Sequence, residues 1–184
     1  MDKVIDDAEK RMHKVKEKLE HDYSTVRTGR ASPALLERVK VSYYGSEMPI
    51  NQLATIGIPE ARMIVITPWD KGAIKAIEKA IIASDLSLTP SSDGVVIRLE
   101  IPSLTEERRT ELKKLVGQMA EDARIAVRNI RRDANSSIDK MEKNHTISED
   151  DAARGKKEVQ ELTDKAIAEI DKVAEAKAAE VMET

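Results

Sequence analysis

The stretch LKKLVGQMAEDARIAVRNIRRDANSSIDKM, residues 112–141, places apolar side chains at intervals of three and four residues. This spacing lines them up along one side of an α-helix, because a helix completes a turn every 3.6 residues. Just upstream, SLTEE (103–107) supplies capping hydroxyls and first-turn acids, which favour a helix start. We therefore predict one helix from about residue 105 to about residue 143, about 58 Å long at 1.5 Å per residue. Its predicted apolar stripe consists of Leu112, Leu115, Met119, Ala123, Ala126, Ile130, Ala134, Ile138 and Met141.

Two further segments, one at each end of the chain, show the same helical spacing. The first covers residues 1–28, and the last follows TISEDD (146–151), where Ser148 precedes three acids in a typical helix start. Three helices that each bury one apolar stripe predict a three-helix bundle built from discontinuous sequence. The predicted stripes are Val4, Ala8, Met12, Val15, Leu19, Tyr23 and Val26 in the first helix, and Val159, Leu162, Ala166, Ile170, Val173 and Val181 in the last.

The segment between the first two helices, residues 31–104, has a different composition. It contains every proline and most of the glycines of the chain. These punctuating residues and the short apolar runs between them predict a small inserted α+β domain with β/α/β order, so that the fold class is α+β with two domains. The predicted elements are a strand over 34–45 that ends in a turn at Gly45, a buried strand over 61–69 closed by Pro68, a helix over 71–84, and a hairpin over 86–102 with its turn at Asp93-Gly94.

The chain crosses between the two predicted domains twice, at RTGRASP (27–33) and at IPSLT (101–105). In the first crossing, Gly29 can end the first helix and Pro33 cannot extend it. Short paired linkers with glycine and proline permit a hinge. The predicted domains are residues 1–29 with 105–184 for the bundle and residues 31–104 for the insert, and the predicted hinge residues are Gly29, Pro33, Pro102 and Ser103.

Composition and charge limit the class of protein. Charged residues make up 35% of the 184 residues and aromatic residues 2%, which suits long helices with narrow cores. The net charge of -3 gives no overall attraction to polyanions, so any nucleic-acid contact must come from a local patch. The chain has no cysteine, which excludes disulfides and thiolate sites. No stretch approaches the roughly 20 apolar residues that cross a bilayer, so we expect a cytoplasmic protein without a membrane partner.

The segment RIAVRNIRRDAN (124–135) contains four arginines and one acid. Arg124 lies one helical turn before Arg128, and Arg131 and Arg132 lie one turn after it, so that these neighbours repel each other. No acid stands three or four residues from Arg128, Arg131 or Arg132. A solvated face is the ordinary explanation of a charge run, but a guanidinium also binds phosphate through two donors. We interpret the four arginines as a ridge without internal counterions that a polyanion completes.

Two more arginines, Arg27 and Arg30, add basic charge at the first crossing, where they could equally cap backbone carbonyls. With so few aromatic residues, stacking of single-stranded bases is not expected. Recognition of folded RNA through its shape and backbone suits the composition better, and RNA rather than DNA is the expected partner.

The sequence gives little support for catalysis. His13, His21 and His145 are too far apart to form a ligand cluster by sequence, and neither a phosphate-binding P-loop nor a G-x-G-x-x-G motif occurs. We therefore expect no enzymatic activity, no catalytic residues, no cofactor and no metal site.

Several motifs resemble the bacterial ribosome recycling factor family, and the similarity spans essentially the whole chain. They are RTGRASP (27–33), YYG (43–45), EKAIIASDL (78–86), LTEERR (104–109), VRNIRRDAN (127–135) and ISEDD (147–151). The resemblance implies an L-shaped monomer of transfer-RNA size, whose bundle lies on large-subunit ribosomal RNA at the subunit interface. It further implies that elongation factor G with GTP drives subunit separation, and that initiation factor three then keeps the small subunit apart. The RNA contacts that the resemblance implies are Arg128 and Arg131 with Arg132 beside them, and Arg27 and Arg30.

Other functions remain open at this point. A helical adaptor would pair exposed helix faces with another protein and be indifferent to RNA. An enzyme would need a polar pocket in the insert, and a membrane-binding helix would need an exposed bulky apolar face.

Overall fold

The computed structural model describes residues 1–183. They form two compact units, one of Met1–Thr28 with Glu106–Glu183 and the other of Gly29–Thr105. The predicted α+β class with two units is confirmed. The elements in chain order are α1 (Asp2–Ser24), β1 (Lys40–Tyr43), β2 (Ser46–Pro49), β3 (Ala54–Glu60), β4 (Met63–Pro68), α2 (Ile74–Ala83), β5 (Pro90–Ser92), β6 (Ile97–Glu100), α3 (Glu106–Lys143) and α4 (Glu149–Met182).

The first unit is a three-helix bundle, in which α3 packs against α1 and α4, and α1 packs against α4. The ends of α3 agree with the prediction to within one residue. At the start of α4, the Ser148 hydroxyl accepts a hydrogen bond from the Asp151 N–H at 3.1 Å, which satisfies a backbone donor that the first helical turn would leave unpaired.

The first helix is shorter than predicted, because α1 ends at Ser24 instead of continuing to residue 28. The hydroxyls of Ser24 and Thr25 donate hydrogen bonds to the carbonyls of His21 and Asp22, at 2.6 and 2.7 Å. Such side-chain bonds compete with the helix ladder and end it locally. Gly29, with φ of +74°, therefore lies in the loop beyond the helix and is not its stop signal.

The buried side of α3 differs from the predicted stripe by one residue at three steps, where Val116, Ala120 and Val127 are buried in place of Leu115, Met119 and Ala126. Leu115 was predicted to be buried, but it is 46% exposed, and its neighbour Val116 is buried instead. The sequence offers apolar residues at both alternatives, so spacing alone could not choose between steps of three and of four. The buried residues of α3 are Leu112, Val116, Ala120, Ala123, Val127, Ile130, Ala134 and Ile138.

The second unit contains a four-stranded antiparallel sheet of order β3-β4-β6-β5 and a separate β1-β2 pair. Its core collects Ile64 and Ile66 of β4 and Ile77 and Ile81 of α2. The predicted buried strand, the predicted helix and the predicted hairpin correspond to β4, α2 and β5-β6. In the hairpin loop, the N–H groups of Val96 and Val95 and the Arg98 guanidinium lower the pKa of Asp93 to about 2.

Three details of the second unit depart from the prediction. Residues Pro33–Leu36 form a 3-10 turn, so the strand predicted from residue 34 begins only at Lys40. Strands β2 and β3 were not predicted; each contains a proline, a residue normally confined to sheet edges. Both strands are indeed edge strands.

Candidate RNA interface

Helix α3 carries the predicted RNA-binding arginines Arg124, Arg128, Arg131 and Arg132 within three turns, and we call this set the arginine face. Of the first two arginines of this face, Arg124 is the more buried. Its side chain is 25% exposed, whereas that of Arg128 is 39% exposed. Arg131 is half-buried and Arg132 is exposed. Their partners divide the face into two parts.

Arg124 is tied to two carboxylates. Its Nε and Nη2 atoms lie 2.8 and 2.7 Å from one Asp171 oxygen on α4, and its Nη1 lies 3.0 Å from Glu121 on α3. The hydrogen bond to Asp171 is the main cause that raises the pKa of Arg124. The expectation of a ridge without internal counterions is therefore wrong for Arg124. This side chain acts as a clamp between α3 and α4.

Arg128 also has a counterion, which the sequence analysis did not find. Its Nη1 lies 3.0 Å from the second oxygen of Glu121. Glu121 precedes Arg128 by seven residues, which is two helical turns, so it lies outside the positions one turn away that hold no acid. Hydrogen bonds from Arg124 and then Arg128 lower the pKa of Glu121. One carboxylate thus serves two guanidinium groups.

The other two arginines of the face have uncharged partners. Arg131 Nη1 donates to the Gln160 amide oxygen on α4 at 3.1 Å, and Arg132 Nη1 donates to Asn129 Oδ1 at 3.2 Å. Across residues 1–183, neither arginine forms an ion pair with a carboxylate. The expectation of missing counterions is confirmed for these two residues. Their guanidinium groups are thus held by hydrogen bonds to uncharged groups, and their positive charge is not paired with a carboxylate.

Arg27 and Arg30 are not part of the arginine face. Arg27 is exposed and follows α1 in the first unit, next to the buried Thr28, whose hydroxyl donates to Glu180 at 2.8 Å. Arg30 is exposed and belongs to the second unit. Their predicted contact with RNA stays a prediction.

The two predicted hinge segments are both fixed to the same turn of the second unit. The Ala31 N–H donates to the Ala61 carbonyl at 2.7 Å, and the Ile101 N–H donates to the Arg62 carbonyl at 2.8 Å. These acceptors form the turn between β3 and β4. Any rotation at the crossings must therefore occur in the few residues outside these bonds, which include Gly29, Pro102 and Ser103.

Gly29 has a steric reason to be glycine. Its φ of +74° disfavours other residues, and an added Cβ would lie 3.1 Å from Leu104 Cγ. Gly29 of the first crossing and Leu104 of the second therefore pack closely.

Within the described residues, no group of three or more acidic or histidine side chains could hold a metal ion. Likewise, none of the helices over residues 1–183 is long and apolar enough to span a bilayer.

The fold and the site together define a class of α+β proteins in which both ends of the chain build a long helical bundle with an arginine face, and the middle of the chain builds a mixed unit. A family model described as Ribosome recycling factor matches residues 19–182. The chain therefore belongs to the ribosome recycling factor family, and the resemblance seen in its motifs is confirmed.

Individual relatives agree over nearly the full length. The chain is 56% identical over 179 residues to the ribosome-recycling factor of Carboxydothermus hydrogenoformans, with 97% of each protein covered. It is 57% identical over 180 residues to that of Halalkalibacterium halodurans, with 98% of this chain and 97% of the relative covered.

Solved structures of the family are also similar. A solution structure of the ribosome recycling factor has a TM-score of 0.75 and 48% identity, covering 98% of this chain and 96% of that one. A second structure has a TM-score of 0.65 and 46% identity, covering 99% and 98%. It presents models for the T. thermophilus ribosome recycling factor and the E. coli elongation factor G bound to the E. coli post-termination complex.

Proposed function

We propose that this protein binds the post-termination ribosome and, together with elongation factor G and GTP, promotes separation of the subunits for a new round of translation. Membership of the family supports this function, as does a relative described with elongation factor G on the post-termination complex. GTP belongs to the partner, since this chain lacks a nucleotide-binding motif. Initiation factor three would then keep the small subunit apart. The protein would act as a monomer in the cytoplasm, where ribosomes work.

The arginine face is the part of the bundle that we assign to large-subunit ribosomal RNA at the subunit interface. One observation carries this assignment: Arg131 and Arg132 have amide partners instead of carboxylates. Several charge-assisted phosphate contacts outweigh a repulsion of a few tenths of a kcal/mol between neighbouring arginines. The site is thus complete only when phosphates supply the negative charge.

The four arginines take different roles in this proposal. Arg131 and Arg132 bind phosphate directly. Arg128 can exchange Glu121 for a phosphate, since its side chain is 39% exposed and Glu121 keeps a hydrogen bond from Arg124. Arg124 holds α3 to α4 and supports the others. Arg27 and Arg30 would add contacts close to the crossings.

Motion is the second part of the proposal. The bundle would hold the RNA while elongation factor G moves the inserted unit, with rotation near Gly29, Pro102 and Ser103. The predicted hinge residue Pro33 lies beyond the Ala31 hydrogen bond, in the 3-10 turn Pro33–Leu36, and would move with the insert. The hydrogen bonds of Ala31 and Ile101 to one turn of the insert support this arrangement, because they would make the insert side of each crossing move with the insert and leave rotation to the residues outside these bonds.

Cosedimentation with intact ribosomes and with separate subunits, across a salt series, tests the function. The protein should bind the intact particle or the large subunit, and its affinity should fall as salt rises. Binding that is independent of salt, or equal for all particles, would contradict the proposal.

A helical adaptor is the alternative function. It requires a continuous apolar stripe on the outside of the bundle. On α3, the large exposed apolar residues are Leu115 and Ile125, ten positions apart. This spacing does not form a stripe, so the adaptor receives no support from α3.

A further inference from the structure

A single amide on α4 connects Arg131 to an acid. The Gln160 oxygen Oε1 accepts a hydrogen bond from Arg131 Nη1 at 3.1 Å, and its nitrogen Nε2 donates to Asp164 Oδ1 at 2.8 Å. Gln160 and Asp164 are exposed and one turn apart on α4, and Arg131 is half-buried on α3. The guanidinium is thus held from the neighbouring helix by a group without charge.

The chemistry of these three side chains requires an amide in the middle. A guanidinium only donates hydrogen bonds, and an ionised carboxylate only accepts them. The side chain between them must accept from one and donate to the other, which an amide does with its two ends. A glutamate of nearly the same shape could accept from Arg131 but could not donate to Asp164.

We propose that Gln160 is a positioning residue of the RNA-binding face, which orients the Arg131 guanidinium for a phosphate without neutralising its charge. This inference rests on the proposed function of the arginine face. In the first part of the same face, carboxylates balance the arginine charge instead: Asp171 pairs with Arg124, and Glu121 pairs with both Arg124 and Arg128. The neutrality of residue 160 therefore determines how much of the Arg131 charge remains for RNA.

Two substitutions separate orientation from charge. Gln160→Glu keeps the shape but supplies a counterion, so ribosome affinity should fall about tenfold, as expected for the loss of one charge-assisted contact. The slope of log affinity against log salt should decrease by just under one, because one fewer counterion is released. Gln160→Ala removes only the hydrogen bond that orients Arg131, which must then be ordered on binding, so affinity should fall about threefold with an unchanged slope.

The chain offers a matched control in Gln118 on α3. Its Nε2 donates to Asp122 Oδ1 at 3.0 Å, again four residues along an exposed helix face, and the described residues give its amide oxygen no arginine partner. Gln118→Glu creates the same pair of carboxylates without touching the arginine face. It should leave ribosome affinity within about twofold of the unmodified protein, and both Gln→Glu variants should melt within about 3 °C of it.

Cosedimentation of these variants with 70S ribosomes, alone and combined with Arg131→Ala, decides the question. The inference predicts that Gln160→Glu binds more weakly than Gln160→Ala and has no further effect once Arg131 is alanine. It is overturned if Gln160→Glu binds no more weakly than Gln160→Ala, or if its effect persists without Arg131. If Arg131→Ala alone binds normally, the proposed RNA contact of the arginine face is wrong. If Arg131→Ala binds weakly and Gln160→Glu binds normally, only the proposed role of Gln160 is wrong.

Discussion

Two pairs of arginines on the same helix differ in how their charge is balanced. Arg124 and Arg128 contact carboxylates, whereas Arg131 and Arg132, one turn further along α3, contact amides. In the sequence, Arg128, Arg131 and Arg132 look alike, since none has an acid three or four residues away, whereas Arg124 follows Glu121 by three residues. The comparison teaches that a run of arginines contains both structural and available charges, and that their partners distinguish the two kinds.

The largest expected effect is on ribosome affinity and comes from Arg131, one of the two arginines of the face without a carboxylate partner. Arg131→Glu replaces a free positive charge with a negative one facing phosphates, so ribosome affinity should fall by about 100-fold or more at moderate salt. The fold should be retained, since Arg131 has no ion pair to lose within residues 1–183. Cosedimentation measures the affinity, and circular dichroism checks the helix content. Normal binding by a folded variant would show that the face does not contact RNA.

Removing the clamp should affect stability more than binding. Arg124→Ala leaves Asp171 without its cation and Glu121 with Arg128 alone, which we expect to destabilise the bundle by about 1 kcal/mol after allowance for partial exposure. Urea unfolding measures this change in free energy. Arg131→Ala is the control and should change it by less than about 0.5 kcal/mol. Equal losses of stability would remove the distinction between the pairs.

The shared carboxylate gives a prediction about pH. Because Arg124 and Arg128 lower the pKa of Glu121, this group contributes stability that is fully present above its usual pKa of 4.5. The contribution is lost as the pH falls through its depressed value in the folded state. Carboxyl NMR titration should show the depressed pKa, and Arg128→Ala should raise it. A Glu121 that titrates at its usual pKa would mean that the shared ion pairs do not form in solution.

The smallest expected effect is on stability and comes from Gly117, which lies about one helical turn before Glu121 on α3. An added Cβ at Gly117 meets no atom within 4 Å, so Gly117→Ala should raise the free energy of unfolding by about 0.5–1 kcal/mol through helix propensity alone. Ribosome affinity should stay unchanged, because this part of α3 leads into the neutralised pair. Thermal melting tests the expected gain in stability, and cosedimentation tests the unchanged ribosome affinity. Weaker binding would place RNA on the part of α3 that we regard as structural.

Local signals in the sequence predicted the bundle well. Ser148 and its following acids marked the start of α4, and Glu106 and Glu107 marked the start of α3, because capping depends on residues close in sequence. The choice between Leu115 and Val116 was not predictable in this way. It depends on where two neighbouring helices lie, and both residues are apolar.

The candidate site was predictable only in part. The four arginines were visible in the sequence, as was the lack of an acid one turn from Arg128, Arg131 and Arg132, and the absence of counterions held for Arg131 and Arg132. The Glu121–Arg128 pair is predictable from the sequence only at a spacing of two helical turns, because the two residues are seven positions apart. The contact of Asp171 was not predictable, because it lies 47 positions away on α4 and meets Arg124 only through tertiary packing.

The salt dependence of ribosome binding by two charge-removing substitutions, Arg131→Gln and Arg124→Gln, tests the central distinction most directly. Each phosphate contact contributes just under one to the slope of log affinity against log salt. We predict that Arg131→Gln decreases this slope by just under one, and that Arg124→Gln leaves it unchanged. An equal decrease for both variants, or a decrease for Arg124→Gln alone, would contradict the account.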